Sequence, residues 1–423
     1  MIMRYPISCP GCEETILVRL SVYPCEGVRF YFPCPECNIP ITGSMRGEQD
    51  IETLRVQFDD CEKIDVDVRK NYRSVVTVAP DMPLKLAARD LREVGGAPTA
   101  MILRIAGDNV ERVLRRISIF NQQRSTQWPN VRRFYEYYMR EQWDHFAAAG
   151  RKAIDTSFVD PGTAHGRESE AYRSVVTCIC AAATDPFDEM LDEIISHMEV
   201  AFESSAFRDF AIRSAASGDL QQQQRRIWDC VCLLMKISEM WLAPGILWDL
   251  ADENPPIPLD ELSLSRDEFH QLRDAYIACF EACCKTLIYL MAFINTSARG
   301  APETFTQDAP SILGGRGRRV PPRNFTQFKR LPNFEKLAYL YEWPAVGNGL
   351  NRILSSGLRN SLGHNSVRQD LRTGWIVNDD GIVMSYFEFA ATVYYLNTAL
   401  QILMNILHSV RMASTEPTRQ RRS

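Results

Sequence analysis

The sequence predicts a multidomain chain: a small cysteine-bearing β unit at the N-terminus, then a mainly α-helical region. Three observations carry this. Two Cys-x2-Cys pairs fall early in the chain, among short β-like runs. From about residue 84 onward the apolar residues recur with helical spacing. The 423 residues are 45% apolar, which suffices for two or three separate cores.

The pairs are Cys9/Cys12 in "CPGC" and Cys34/Cys37 in "CPEC". Each places two thiolates on one tight turn, with Pro10 and Pro35 restricting the backbone. Two such turns complete a tetrahedral S4 site, the geometry zinc prefers. The segment between them reads as two strands around a Pro24–Gly27 turn, so a hairpin with one pair at each end is expected. Over about residues 6 to 45 this pattern resembles a zinc ribbon, which sets a domain at 1–45. Four thiolates leave no open coordination position, so the resemblance implies structural zinc held by Cys9, Cys12, Cys34 and Cys37. Ribbons dock nucleic acid or protein, and the fold alone does not choose between them. Cys25, at the expected turn, has no ligand role.

Residues 46–83 follow as a short β-rich extension, with "LRVQF" and "SVVTV" as strands. A helical linker domain is expected over 84–165. In it "WPNVRRFYEYYMREQWDHF" reads as one helix whose aromatics, Phe134, Tyr137, Tyr138 and Trp143, are core. Residues 151–171 read as a loop. Long helices are expected at about 186–210, 219–243 and 266–297. The remaining cysteines sit in apolar surroundings and are read as small buried hydrophobes.

Net charge is −5, which excludes a chain-wide electrostatic commitment to nucleic acid. Arginine outnumbers lysine 40 to 8, which suits bidentate phosphate recognition but also follows from a genome rich in G and C. The apolar stretches Ala275–Ile294 and Phe387–Leu407 are interrupted by Glu281 and Lys285, and by Glu388, Asn397, Gln401 and Asn405. They read as buried helices, not membrane spans. No signal peptide is visible, and a cytoplasmic protein is expected. Between Arg316 and Arg330 the positive residues are Arg316, Arg318, Arg319, Arg323, Lys329 and Arg330, with no acid among them. Arg316, Arg318, Arg319 and Arg323 are candidate RNA contacts. Residues 412–423 are expected to form a disordered tail.

"LRNSLGH" at Leu358–His364 draws the chemistry. Arg359 and His364 alone prove little, because Arg140 and His145 repeat the spacing. Context separates the two. Leu350, Ile353, Leu354, Gly357, Leu358, Ser361 and Leu362 fit one amphipathic helix, with Arg359 off the apolar stripe. On an unbroken helix His364 lies about 140° from Arg359. Gly363 can end the helix and let the histidine swing toward the arginine. No glycine lies between Arg140 and His145, so that helix is expected to run on. A hairpin turning at Asn378–Gly381 and a long terminal helix, Glu388–Val410, complete the block.

Helix, "RNSLGH", hairpin and terminal helix resemble a HEPN domain, clearest over 331–411, within a bundle taken as 170–411. The resemblance implies a metal-independent endoribonuclease, in a toxin or antiviral defence role, that dimerises through its bundle. Arg359 would clamp the phosphate, His364 would act as acid/base, and Asn360 would be a positioning or structural residue. The alternative is a non-catalytic nucleic-acid-binding or protein-interaction module.

Overall fold

In the computed structural model the described residues are 2–21, 25–47, 53–64, 72–83, 98–179, 187–255, 257–306, 321–363 and 367–415. Strands come first and helices dominate the rest. The chain divides into two compact units: Met1–Ile117 with Ile237–Asp274 and Asn360–Tyr394, and Ser118–Lys236 with Ala275–Arg359 and Tyr395–Ser423.

The first unit is built on two three-stranded sheets. Strands β1 (Ile2–Ser8), β2 (Thr15–Ser21) and β6 (Ser74–Val78) form one, in the order β1-β2-β6. Strands β3 (Cys25–Pro33), β4 (Pro40–Gly47) and β5 (Arg55–Phe58) form the other, in chain order. The expected hairpin between the cysteine pairs is therefore corrected. Strands β2 and β3 lie in different sheets, while β1 pairs with β2 and β3 with β4. The physical reason is local: each Cys-Pro-x-Cys turn is itself a hairpin turn, and the strands on either side pair across it. The strands expected as a separate extension join the same sheets, β5 beside β4 and β6 parallel to β2. Alternation fills one core with Ile16, Val18 and Leu20 from β2, Val28, Phe30 and Phe32 from β3, and Val76 and Val78 from β6.

Gly43 is the tightest point of that core. A Cβ there would stand 2.6 Å from the Gln57 carbonyl oxygen and 2.7 Å from the Phe30 ring. Its cross-strand partners are Phe30 and Phe58, whose rings meet edge to face at 5.7 Å over the missing side chain. The free edge of β3 is covered by the segment before residue 268, where Tyr31 N–H donates to the Ser265 carbonyl at 3.0 Å. Arg266, in that segment, is buried and forms ion pairs with Asp81 and Glu268 while donating to the Glu239 carbonyl at 3.1 Å. Gln369 donates to the Arg266 carbonyl at 3.1 Å. It lies on β7 (Arg368–Asp370), which with β8 (Trp375–Asn378) and β9 (Gly381–Ser385) forms a third small sheet. The β8–β9 hairpin turns at Asn378–Gly381 as expected.

Helices α1 (Pro98–Ala106), α2 (Val110–Thr126), α3 (Trp128–Met139), α4 (Trp143–Ala153), α5 (Ala164–Ile179), α6 (Asp188–Phe202), α7 (Ser205–Ala216), α8 (Asp219–Lys236) and α9 (Leu242–Asp249) follow in the chain. After them come α10 (Phe269–Arg299), α11 (Phe325–Lys329), α12 (Asn333–Ala338), α13 (Pro344–Ile353), α14 (Ser356–Gly363) and α15 (Tyr386–Thr415). The loop expected at 151–171 is shorter, because α5 begins at Ala164. The helix expected at 186–210 breaks before Ser204, whose hydroxyl accepts from Phe207 N–H and caps α7. The helix expected to run on from α3 also breaks: Glu141 takes a left-handed φ of 55° between α3 and α4. In the second unit Phe134 stacks on Phe146 at 4.3 Å, and Phe134 and Tyr138 are core as expected, whereas Tyr137 and Trp143 are only partly buried. Helix α10 is long and apolar enough to cross a membrane, and 78% of its apolar window is buried inside the protein.

Candidate functional site

The two cysteine turns have the same backbone. Cys9 N–H donates to the Glu14 carbonyl at 3.0 Å and Glu13 N–H to the Cys9 carbonyl at 3.0 Å. In the second turn Cys34 N–H donates to Ile39 at 2.8 Å and Asn38 N–H to Cys34 at 2.9 Å. Glu13 and Asn38, each following the second cysteine, both lie in the left-handed region at φ 59° and 62°. Strand, turn and strand are thus repeated with an offset of 25 residues, a duplication that side-chain identity hides beyond the cysteines and prolines.

The four sulfurs lie within 4.8 Å of one another. Cys9 Sγ is 3.6 Å from Cys37 Sγ, and Cys12 Sγ is 3.7 Å from Cys34 Sγ. A tetrahedral site with metal–sulfur bonds of about 2.3 Å needs sulfurs about 3.8 Å apart. The donor set therefore fits one metal ion. Cys9 and Cys34 are buried, Cys12 and Cys37 exposed, so one thiol of each turn anchors the site to the core. Burial raises the Cys9 thiol, and the N–H groups of Gly11 and Cys12 more than offset that, leaving it below the ordinary value. Burial pushes the Cys34 thiol well up. Elsewhere the described cysteines are free, and Cys178, Cys230, Cys279, Cys283 and Cys284 are buried as expected.

The arginine motif is arranged differently from its expectation. The apolar residues from Leu350 to Leu362 are buried, but they lie on two helices, α13 and α14. Ser355 makes the break. Its carbonyl accepts from Arg359 N–H at 3.0 Å and its hydroxyl from Leu358 N–H at 3.2 Å, an N-cap. Arg359 does not face solvent alone. Its guanidinium meets the Glu281 carboxylate of α10 at 2.7 Å, with the two side chains 32% and 29% exposed. Asn333 holds the other oxygen of Glu281 at 3.2 Å. Asn360 is exposed. The described part of helix α14 runs to Gly363, and the chain is a strand by Arg368. His364 lies outside the described residues, as do Arg316, Arg318 and Arg319. Arg323 is described, and its N–H donates to the Gln327 side chain at 2.8 Å.

A second cluster was not legible in the sequence. On α5, Glu168 is 1% exposed; one carboxylate oxygen accepts from Gln224 at 3.0 Å and contacts His408 Nδ1. The other ring nitrogen of His408 bonds Tyr135 Oη at 2.9 Å. The available signal was a glutamate on the buried stripe that α5 continues through Ala171, Val175 and Cys178. Compared with family models, curated proteins and solved structures, the chain matches none.

Proposed function

We propose that this chain binds RNA through the outer face of sheet β3-β4-β5, with zinc at the four cysteines as a structural closure. Zinc held by Cys9, Cys12, Cys34 and Cys37 has its coordination filled and supplies rigidity, not chemistry. The observation carrying the reading is Arg46 directly opposite Arg55 in the β4–β5 ladder, both exposed. Like charges in that relation repel, and a bound anion relieves the repulsion. The two arginines border a concavity of about 920 Å3 with Arg29, Ser44 and Gln57. Arg29 is already held by Asp59 at 2.8 Å and Asp267 at 3.3 Å, which leaves Arg46 and Arg55 for phosphate.

The test is fluorescence anisotropy with single-stranded RNA over a salt series. Replacing both arginines by glutamine should weaken binding and lower the salt slope by about 1.4, two phosphate contacts' worth. An unchanged slope would reject the reading.

A second reading, a HEPN-type ribonuclease using Arg359, Asn360 and His364, is favoured by the order α14, β8–β9 hairpin, α15. Cleavage of RNA in chelator, lost in both Arg359→Ala and His364→Ala with folding intact, would support it. The Glu281 pair weighs the other way, since an arginine so held must be released before it clamps a phosphate.

A further inference from the structure

In the second unit a cavity of about 140 Å3 is lined by Trp143, Ala164, Arg167, Glu168, Gln221 and Arg411, among others. One of its lining residues, Glu168, is 1% exposed. One oxygen is engaged by Gln224 and His408. The other, Oε2, is buried with no hydrogen-bond partner. Arg411 Nε, 4.0 Å away, forms a long ion pair with it and is also buried without a hydrogen bond. The pair is too long for a hydrogen bond, and a buried acceptor and donor that each lack one cost stability. A ligand edge carrying a donor next to an acceptor satisfies both at once.

Size and walls narrow the class. A cavity of roughly 150 Å3 takes one six-membered ring, whereas a single water needs about 30 Å3. Trp143 supplies a flat wall, with the Arg167 guanidinium over its ring at 4.1 Å. Arg167 is itself fixed by Asp160 through bonds of 2.8 and 2.7 Å, so its plane is held in place. Planar heterocycles stack on such surfaces. A pyrimidine presents the required edge, amino donor beside ring acceptor in cytosine, ring N–H beside carbonyl in uracil. A fused purine needs more than this volume and would project from the mouth of the cavity.

We propose that this cavity binds one pyrimidine base, with Glu168 Oε2 accepting from it and Arg411 Nε donating to it. The inference does not depend on Arg46 and Arg55. The base could come from a free nucleoside or from a strand, and both present the same edge.

Calorimetric titration of the full chain with cytidine, uridine, adenosine and guanosine, then with oligouridylate, tests it. Expected are saturable pyrimidine binding, purine nucleosides weaker by roughly tenfold or more, and a similar loss in Arg411→Gln and Glu168→Gln. Ala164→Trp, at an exposed position on the rim, should block binding and keep the fold, so it and Arg411→Gln decide the matter if Glu168→Gln unfolds. Binding of oligouridylate alone, abolished by Ala164→Trp, assigns the base to a strand; competition by free uridine assigns it to either source. The proposal is overturned if no pyrimidine ligand saturates, if purines bind as well, or if binding survives Ala164→Trp and Arg411→Gln.

Discussion

The pairing of Arg359 with Glu281 decides how the arginine motif is to be understood, and a double-mutant cycle measures it. At the observed 2.7 Å contact the two side chains are 32% and 29% exposed, so solvent screens them only in part. Unit charges about 4 Å apart attract by about 4 kcal/mol at an effective dielectric of 20. Desolvation of both groups takes back much of that, and exposed pairs net only about 0–1 kcal/mol. An intermediate coupling of about 1.5 kcal/mol is expected between Glu281→Gln and Arg359→Met. Glu281→Gln alone should cost somewhat more than the coupling, because Asn333 also loses a charged acceptor. Denaturant unfolding of wild type, both single variants and the double variant gives the value. A coupling below about 0.3 kcal/mol would refute the structural role of the pair. RNA cleavage in the same four proteins adds a second axis: a clamp released by Glu281→Gln should cut faster, and a structural tie should not.

Three further outcomes follow from the geometry. Metal analysis should find one ion per chain, and Cys34→Ser, which removes a buried ligand, should abolish retention after dialysis; full retention would mean the four thiols do not form the site. Gly43→Ala should destabilise the first unit by about 1–3 kcal/mol, read as a fall in Tm, because the new methyl meets the Gln57 backbone; an unchanged Tm would show that the strands yield freely. Asp160 sits below the ordinary carboxylate range, chiefly through its hydrogen bond from Arg167. Its folded value is depressed, so its contribution is present above the unfolded value of about 3.9 and disappears as pH falls through the folded one. Wild type should lose that stability in acid and Asp160→Asn should lack the step; parallel Tm curves for the two would contradict it.

The cysteine turns were legible because their geometry is local: four residues fix two ligands and a proline-restricted bend. The sheet partners were not. Strand β6 pairs with β2 from more than fifty residues away, and nothing in a β-like run names its neighbour. Helical spacing from Leu350 to Leu362 correctly marked burial but not continuity. Periodicity reports which face is inside, whereas the break depends on one capping serine, Ser355. The same holds at Glu141, where a residue with a side chain takes a backbone shape usually left to glycine. The buried charges were the least visible. Arg266 meets Asp81, and Glu168 meets His408, across 185 and 240 positions of sequence, and each looks like surface until its partner is known.

The repeated cysteine turn also bears on how the β region assembles. Each half needs only a short bend to bring its two strands together, an event of low contact order and high speed. Each half supplies only two of the four clustered thiols, so neither binds an ion firmly by itself. An ion bound by the four thiols would thus act as a clasp between two locally formed hairpins and turn two independent events into one all-or-none step. The halves should be separable: two peptides, each with one strand-turn-strand, should associate on adding metal and part on removing it.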